Sequence, residues 1–243
     1  MIKFFRKIRQ SPLIGGRTTK YFKYAIGEIV LVVIGILIAL QINNWNEARK
    51  SNQKLESVLK ALKSDLSNDV TAINHHLKFS NMVVNASKKL LDQSRKESAT
   101  LDTLVHLGKN KFRASWVSPI KFSNTTFESI KYSGDFELLS DSLRSAVTKL
   151  YNKQKYYLNN LETFNNEYKN RYYNFSQHYI TSFINEKTYL AKTVSWQNIN
   201  KKDFAVKFDG ILSYRYELWR YYLEILDKQK RRTEQLIKLI NNN

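Results

Sequence analysis

The 243-residue sequence contains no cysteine, two prolines and seven glycines. The absence of cysteine excludes a disulfide framework and a zinc site with thiolate ligands, although it leaves the redox compartment open. Proline and glycine break helices, and their usage here is far below that of ordinary proteins. The sequence therefore predicts long helices with few breaks.

Motifs with known chemistry are absent as well. The sequence contains no glycine-rich phosphate loop, no nucleophile elbow and no helical H-E-x-x-H motif. His75 and His76 are adjacent, so on a helix their rings point about 100° apart and do not chelate one ion together. His106 and His178 lie far from this pair in the sequence. We therefore expect no metal site, no cofactor and no enzyme activity.

Basic residues far outnumber acidic ones. The chain has 40 Lys and Arg against 21 Asp and Glu, a formal net charge of +19 at pH 7. Residues 1–49 carry +6 of this charge, and the rest of the chain carries +13. A charge of this size favours anionic partners: phospholipid headgroups, lipopolysaccharide phosphates, acidic proteins or nucleic acid. Charge alone does not choose among them.

One long apolar run lies near the N-terminus. From Tyr24 to Ile42 it is interrupted by Glu28 and Gln41, and a helix of this length covers the roughly 30 Å hydrocarbon core of a bilayer. The run predicts a transmembrane helix over residues 24–43. The alternatives are a buried core helix, which would carry a single apolar stripe, and a cleaved signal peptide. Because "IALQINNWNEARK" offers no convincing small-x-small cleavage site, we expect an uncleaved signal anchor.

The basic residues on either side of the run predict its orientation. Seven basic residues and no acidic residue precede it. Four basic residues follow it within a comparable window: Arg49, Lys50, Lys54 and Lys60. This bias predicts a cytoplasmic head, residues 1–23, and an extracytoplasmic domain, residues 44–243, which in a Gram-negative cell lies in the periplasm. Tyr21, Tyr24 and Trp45 flank the run and are predicted to lie at the headgroups.

Glu28 places a carboxylate inside the apolar run, roughly 6 Å from its cytoplasmic end. Three small residues lie near it on one helix face, at spacings of eight and four: Gly27, Gly35 and Ala39. Small residues allow membrane helices to approach closely. Two interpretations stay open: a helix–helix contact that supports self-association, and an interfacial carboxylate that reaches the headgroups at tolerable cost.

These residues also resemble a known family. "MIKFFRKIRQ" followed by "YFKYAIGEIVLVVIGILIALQINNWNE" is similar to the head and anchor of a widespread family of bacterial single-span proteins that carry a domain of unknown function. "TFESIKYSGDFELLSDSLRSAV" is similar to a recurring glycine-containing segment of that family. The resemblance implies an uncleaved anchor and a helical outer domain, and it implies no activity and no functional residues.

Apolar and aromatic residues recur every three or four positions in three long segments after the run, residues 55–91, 147–183 and 211–240. This spacing predicts three long helices in an all-α antiparallel bundle, into which the transmembrane helix continues. The second stripe is rich in tyrosine and phenylalanine. We interpret it as core whose hydroxyls make buried hydrogen bonds or line a polar crevice open to a small ligand. The alternative, a base-stacking surface, has no usual nucleic-acid partner in the predicted compartment.

Shorter pieces are predicted between these stripes. "TLDTLVHLGKNK" predicts a short helix that ends near Gly108, and an irregular stretch follows around the only proline of the outer domain. "NTTFESIKYSGDF" predicts a helix capped by Asn124 or the next residue and ended by Gly134. Ser140 is predicted to precede the second long helix. A loop is predicted over residues 186–208.

The segment "DKQKRRTEQ", residues 227–235, concentrates positive charge on the third helix. Its basic residues are Lys228, Lys230, Arg231 and Arg232. They form either a solvated helix face or a surface that docks an acidic partner or lipid phosphates.

The sequence thus predicts a bitopic inner-membrane protein without enzymatic activity. We expect it to act in the lipid bilayer as an envelope scaffold, adaptor or assembly subunit, through protein–protein contacts in a homo-oligomer or an envelope complex. The alternative is an extracytoplasmic ligand sensor, which would need a partner for its output because the head is too short to hold a signalling domain.

Overall fold

The computed structural model describes residues 18–179 and 196–242. These residues form five α-helices and no strand: α1 (Thr18–Ser94), α2 (Leu101–His106), α3 (Thr125–Ser133), α4 (Asp141–Ser176) and α5 (Lys201–Asn241). A π-helical turn, Leu107–Lys111, follows α2, and a 3₁₀ turn, Asp135–Leu138, precedes α4. The predicted all-α fold is confirmed, while most of the predicted basic head, residues 1–17, lies outside the described residues.

The chain divides into two compact units, residues 1–56 and 57–243. The first unit contains the apolar run, and helix α1 continues unbroken across the boundary between the units. Among the described residues, α1 is the helix long and apolar enough to cross a membrane, and none of its apolar 18-residue window is buried. The run therefore does not behave as the core helix of a soluble domain.

The second unit is a bundle of three long helices. Phe164 of α4 contacts Tyr221 of α5 with ring centroids 5.1 Å apart, and Phe175 contacts Phe204 at 5.7 Å. Residue numbers therefore rise along α4 as they fall along α5, so these two helices are antiparallel. Their facing apolar stripes exclude water from a continuous core.

The bundle part of α1 is also antiparallel to α5. The Phe79 ring lies 5.6 Å from that of Trp219, and further along, Arg95 forms a salt bridge with Asp209 at 3.2 Å. Since α5 is antiparallel to both partners, α1 and α4 run in the same direction. The chain between α1 and α4, residues 95–140, must therefore return along the length of the bundle before α4 begins.

Local capping residues explain where several helices begin and end. The Ser140 hydroxyl accepts a hydrogen bond from the Leu143 N–H, and α4 begins at the next residue as predicted. Helix α3 lies between Asn124 and Gly134 as predicted, and Gly134 adopts φ +79°, a left-handed conformation that glycine accepts readily. The Ser140 and Gly134 caps are confirmed, whereas Asn124 precedes α3 without making a side-chain capping hydrogen bond.

Two predicted boundaries need correction. The predicted loop 186–208 is wrong in its last part, because the Asn200 side chain accepts the Asp203 N–H at 3.1 Å and starts α5 at Lys201. Helix α4 ends at Ser176, short of the predicted end of the second stripe; Tyr179 is still buried beyond it, and Phe183 lies outside the described residues. Helix α2 ends at His106, near Gly108 as predicted, and the π-helical turn Leu107–Lys111 follows it.

Candidate functional site

The apolar run presents an open helix face. Every residue from 21 to 45 is exposed, including Glu28 and Ala39. Beyond its two chain neighbours and its own helix backbone, a Cβ added at Gly27 or Gly35 would meet no atom of the described residues within 4 Å. The four residues predicted for self-association therefore share an accessible helix, and their association stays a prediction.

The predicted interfacial anchors are exposed as well. Tyr21 and Tyr24 lie before the run and Trp45 after it, all with large exposed ring surfaces. The Arg49 guanidinium carbon lies 5.8 Å from the centroid of the Trp45 ring, a cation–π contact. This pairing of an aromatic ring with a cation suits the boundary between lipid and water.

The basic segment of α5 is largely paired within its own helix. Its ion pairs are Lys228 with Glu224, Arg231 with Asp227 at 2.8 Å, and Lys230 with Glu234 at 3.9 Å. Arg232 instead lies 5.7 Å from the Tyr157 ring centroid, and a hydrogen bond from it lowers the pKa of Tyr157. This pairing favours the solvated helix face over the docking surface.

The aromatic stripe predicted on α4 is buried at several positions, while Tyr157 is partly exposed and Phe164 is exposed. Tyr151, Tyr168 and Tyr172 of α4 are buried, so the core interpretation is correct for them. Phe164 is 45% exposed, because the inward position beside it is taken by the buried side chain of Asn165. That polar residue belongs to a larger arrangement that the sequence analysis did not anticipate.

The arrangement centres on residues 112–124, a segment without regular secondary structure that we call the strap. Its backbone is held by side chains from all three long helices, through bonds of 2.7–3.2 Å. Six side chains make these bonds: Asp69, Tyr151, Asn165, Arg215, Trp219 and Tyr222. Buried backbone groups need hydrogen-bond partners, and here distant side chains supply them in place of a helix or a strand.

Arg215 and Trp219 hold the beginning of the strap. The Arg215 Nη1 donates to the Arg113 carbonyl at 2.7 Å, and the Trp219 Nε1 donates to the Ser115 carbonyl at 2.9 Å. The two side chains lie one turn apart on α5. The strap therefore follows α5 in the same direction along the chain.

Asn165 holds the middle of the strap with both ends of its amide. The Val117 N–H donates to Asn165 Oδ1 at 2.9 Å, and Asn165 Nδ2 donates to the Val117 carbonyl at 2.9 Å. Asn165 is 4% exposed, so water does not compete for these bonds. One side chain thus satisfies both backbone polar groups of a buried residue.

Tyr222 connects the strap to α1. The Ile120 N–H donates to the Tyr222 hydroxyl at 3.1 Å, and that hydroxyl lies 2.9 Å from His76 Nδ1. The hydroxyl can accept from Ile120 and donate its proton to Nδ1 at the same time. Burial raises the pKa of Tyr222 and lowers the pKa of His76, which favours the neutral form of each group.

Asp69 holds the end of the strap. Its Oδ1 accepts the Ser123 N–H at 2.8 Å, and its Oδ2 accepts from Gln154 Nε2 at 3.4 Å. Tyr151 donates to the Ser123 carbonyl at 3.2 Å. Burial raises the pKa of Asp69, and the hydrogen bonds it accepts act in the opposite direction.

The sequence did contain one signal for this arrangement. Asp69 follows Leu66 by three residues and precedes Ile73 by four, so it occupies a core position on the α1 stripe. A carboxylate at such a position needs a buried partner. The identity of that partner, a backbone amide 54 residues away, does not follow from the spacing.

The histidines are placed for hydrogen bonding and packing. The rings of His75 and His76 lie 6.0 Å apart and nearly perpendicular, and His76 is bound to Tyr222. His106 Nδ1 lies 3.1 Å from the Asn110 amide, and His178 Nδ1 lies 3.1 Å from the Asn174 carbonyl. Within residues 18–179 and 196–242, no group of three or more His, Cys, Asp or Glu side chains is placed to hold a metal ion.

Comparison with known proteins identifies the family. The family of unknown function DUF6090 matches residues 28–213, which include most of the apolar run, the strap and the beginning of α5. The chain belongs to this family. No curated protein and no solved structure shows a significant match to the chain.

Proposed function

We propose that this DUF6090 protein is a membrane-anchored scaffold, adaptor or assembly subunit of the bacterial envelope, acting through protein–protein contacts. The observation that supports it is the apolar 18-residue window of α1, none of which is buried in the part of the chain that the structure describes. Such a helix needs lipid or another membrane helix around it. An anchoring helix of this kind holds the protein at the membrane, and this role requires no catalytic residues.

The polar interior of the bundle supports the same function. Several of its buried polar side chains hold the strap, as with Asn165 on Val117 and Tyr222 on Ile120. Side chains committed to the internal structure keep a surface rigid for a partner. We therefore assign the partner contacts to the apolar part of α1 and to the exposed surface of the bundle.

The proposed location is the bacterial inner membrane, with the N-terminus in the cytoplasm and residues from 44 onward in the periplasm. The excess of basic residues before the run supports this orientation. A reporter fused after Asn243 tests it: we expect activity from a reporter that works only in the periplasm. Activity from a reporter that works only in the cytoplasm would reverse the topology.

Crosslinking in cells followed by purification of the tagged full-length chain tests the scaffold. We expect an envelope protein, or a second copy of the chain, to be enriched over a control in which an unrelated single-span protein carries the same tag. Replacing residues 24–46 with the span of that control protein separates the two contact surfaces. Partners that bind the native span should no longer be enriched with this variant, whereas partners that bind the bundle should still be enriched.

The same experiment can refute the proposal. If neither the native protein nor the variant with the replaced span enriches any protein above the control, the chain has no stable partner. Release of the protein from membranes by carbonate without detergent would also contradict it, because an uncleaved helix of this length stays in the bilayer.

A ligand sensor is the second candidate, and a groove between α4 and α5 favours it. The groove has a volume of about 390 Å³, and its lining includes Arg171, His178 and Lys207. Arg171 is paired with Glu167 at 2.7 Å, and Lys207 with Asp203 at 2.9 Å. On binding a small anionic ligand, Arg171 and Lys207 would leave these carboxylates and pair with the ligand.

Thermal unfolding of the full-length protein in detergent distinguishes this candidate from the scaffold. A sensor should be stabilised by a specific small anionic metabolite, and the stabilisation should fall in Lys207→Ala. The exposed Lys202→Ala is the matched control on the same helix. An equal rise in Tm in both variants would indicate charge screening by the anion. It would contradict the assignment of the groove as a ligand site.

A further inference from the structure

The first half of α4 carries basic residues without acidic neighbours on the same helix. Between Asp141 and Glu162 the sequence contains four basic residues and no acidic residue. In the basic segment of α5, by contrast, acidic residues lie one turn from the cations, as Asp227 does from Arg231 at 2.8 Å. The lysines of this part of α4 therefore have no ion-pair partner within one turn of their own helix.

A groove lies along this basic stretch, and we call it the basic groove. It has a volume of about 510 Å³ and is lined by the 3₁₀ turn and by the exposed side of α4. Six of its lining side chains supply a ring, polar groups and two cations: Phe136, Ser145, Thr148, Lys149, Asn152 and Lys153.

The wall that the 3₁₀ turn contributes is held in place. The Phe136 ring lies 5.9 Å from the Phe127 ring, which stacks on Tyr151 of α4 at 4.2 Å. Arg144 forms an ion pair with Glu137 of the turn, so this carboxylate is already occupied. A wall fixed before binding lowers the cost of ordering the site.

Lys149 and Lys153 lie one turn apart and are exposed. Neither forms a salt bridge among the described residues, and the Lys153 ammonium lies 5.5 Å from the centroid of the Tyr156 ring. Like charges at this spacing on a helix repel each other. A partner with two carboxylates would relieve the repulsion and pair both cations.

We propose that the basic groove binds an extended acidic segment of a partner protein, a role that rests on the proposed scaffold function. Side chains one turn apart on a helix have Cβ atoms about 5–6 Å apart, and alternate side chains of an extended chain are roughly 7 Å apart. Two carboxylates at alternate positions therefore reach Lys149 and Lys153, and a neighbouring apolar side chain packs against Phe136.

The polar lining favours a peptide over a lipid headgroup. The Asn152 amide and the hydroxyls of Ser145 and Thr148 each donate and accept hydrogen bonds. A peptide backbone offers both N–H and C=O groups to them, whereas a phosphate group offers acceptors.

The acidic segment belongs to a different protein. Among the 21 Asp and Glu of the chain, only Asp135 and Glu137 stand at alternate positions. Both lie in the 3₁₀ turn that forms the wall of the groove, and Glu137 is paired with Arg144. The net charge of +19 also opposes the approach of a second copy through a basic surface.

Fluorescence anisotropy with the full-length protein in detergent tests the proposal. The probe is a labelled peptide with two glutamates at alternate positions beside a leucine, and its control has glutamines in their place. We expect saturable binding of the glutamate peptide and about tenfold weaker binding of the glutamine peptide, because hydrogen bonds to charged groups are the stronger ones. Equal affinities, or no binding of either peptide, overturn the proposal.

Two double variants locate the binding. Lys149→Ala with Lys153→Ala should raise the Kd of the glutamate peptide about tenfold or more. Lys155→Ala with Lys202→Ala is the matched control, because it removes the same charge from exposed lysines outside the groove. An equal Kd in both double variants overturns the assignment to the groove.

Other occupants would give different results. Displacement of the labelled peptide by glycerol phosphate, as effective as displacement by the unlabelled peptide, would indicate a headgroup site. Crosslinked oligomers that weaken in Lys149→Ala with Lys153→Ala, without binding of either peptide, would indicate a second copy. Either result overturns the proposal.

Purification of the crosslinked chain separates this proposal from the scaffold function. If the native chain and Lys149→Ala with Lys153→Ala enrich the same partner equally, the groove is not its docking surface and the scaffold function stands. If neither chain enriches a partner, the scaffold function fails, and the peptide affinities still decide whether the groove binds acidic segments.

Discussion

Asp69 shows how a single residue couples the bundle to pH. It is 1% exposed and accepts hydrogen bonds from Ser123 and Gln154, yet burial raises its pKa above the ordinary value of 3.8. The native state therefore binds a proton more tightly than the unfolded state. Protonated Asp69 therefore adds to the free energy of unfolding. This contribution is fully present below about pH 4 and is lost as pH rises through the raised pKa.

Replacing this carboxylate should remove the free-energy cost of burying its negative charge. We expect Asp69→Asn to be more stable than the native protein at pH 7, by about 1 kcal/mol, because the amide oxygen still accepts the Ser123 N–H. The amide nitrogen can also donate to Gln154 Oε1, which has no partner. Urea unfolding of the full-length protein at pH 7 and pH 3.5 measures the difference, which should shrink at the lower pH. A variant that is less stable at pH 7 would contradict this account.

Thr233 carries a polar group that the core does not use. Its side chain is fully buried, and its hydroxyl has no hydrogen-bond partner among the described residues. Thr233→Val keeps the shape and removes the hydroxyl, so the free energy of unfolding should rise by about 1 kcal/mol. Thr163→Val on the exposed side of α4 is the control and should change it by less than about 0.5 kcal/mol. Destabilisation by Thr233→Val would indicate a bond to a partner such as water.

At the scale of elements, the helices were predictable and the strap was not. A helix leaves a local signal, such as the apolar spacing of α5 or the Ser140 and Gly134 caps around α4 and α3. The strap is held by side chains that lie far away in the sequence, for example Asn165 on Val117, 48 residues apart. Periodicity cannot report such pairings, because it compares only residues of one element.

Asn165 is the element-scale test of the strap. Asn165→Ala leaves the buried Val117 N–H and carbonyl without partners, and each lost bond costs about 1–3 kcal/mol. We expect the variant to be destabilised by about 2–4 kcal/mol, with faster hydrogen exchange at Val117 than the global loss explains. Asn166→Ala, exposed at the next position of α4, is the control. Equal exchange rates at Val117 in both variants would show that the strap is held elsewhere.

At the scale of the whole molecule, the apolar part of α1 and the bundle differ in what the sequence reveals. The apolar run can be recognised from composition, and its residues are exposed in the structure. The chain's membership of DUF6090 agrees with the resemblance of its sequence to a family of unknown function. The hydrogen bonds between the strap and the long helices could be described only from the structure. Self-association through the helix face that contains Glu28 stays a prediction.

Self-association through this face is measurable in bilayers. We expect Glu28→Gln and Glu28→Leu to weaken oligomers of the full-length protein, since a carboxylate near the lipid boundary contributes hydrogen bonds between helices. Crosslinking of the purified protein in vesicles reports the oligomer fraction, and Gln41→Leu serves as the control at the opposite end of the run. An unchanged oligomer fraction in the Glu28 variants would indicate that Glu28 is an interfacial carboxylate with no role in self-association.

The long return path between α1 and α4 has a consequence for biosynthesis. His76 meets Tyr222 across 146 residues, and Arg95 meets Asp209 across 114, so the core closes only after most of the chain has been synthesised. Until then the aromatic stripe of α4 has no α5 to cover it. Incomplete chains therefore leave this aromatic surface uncovered, and truncation before residue 201 should leave a protease-sensitive, insoluble product.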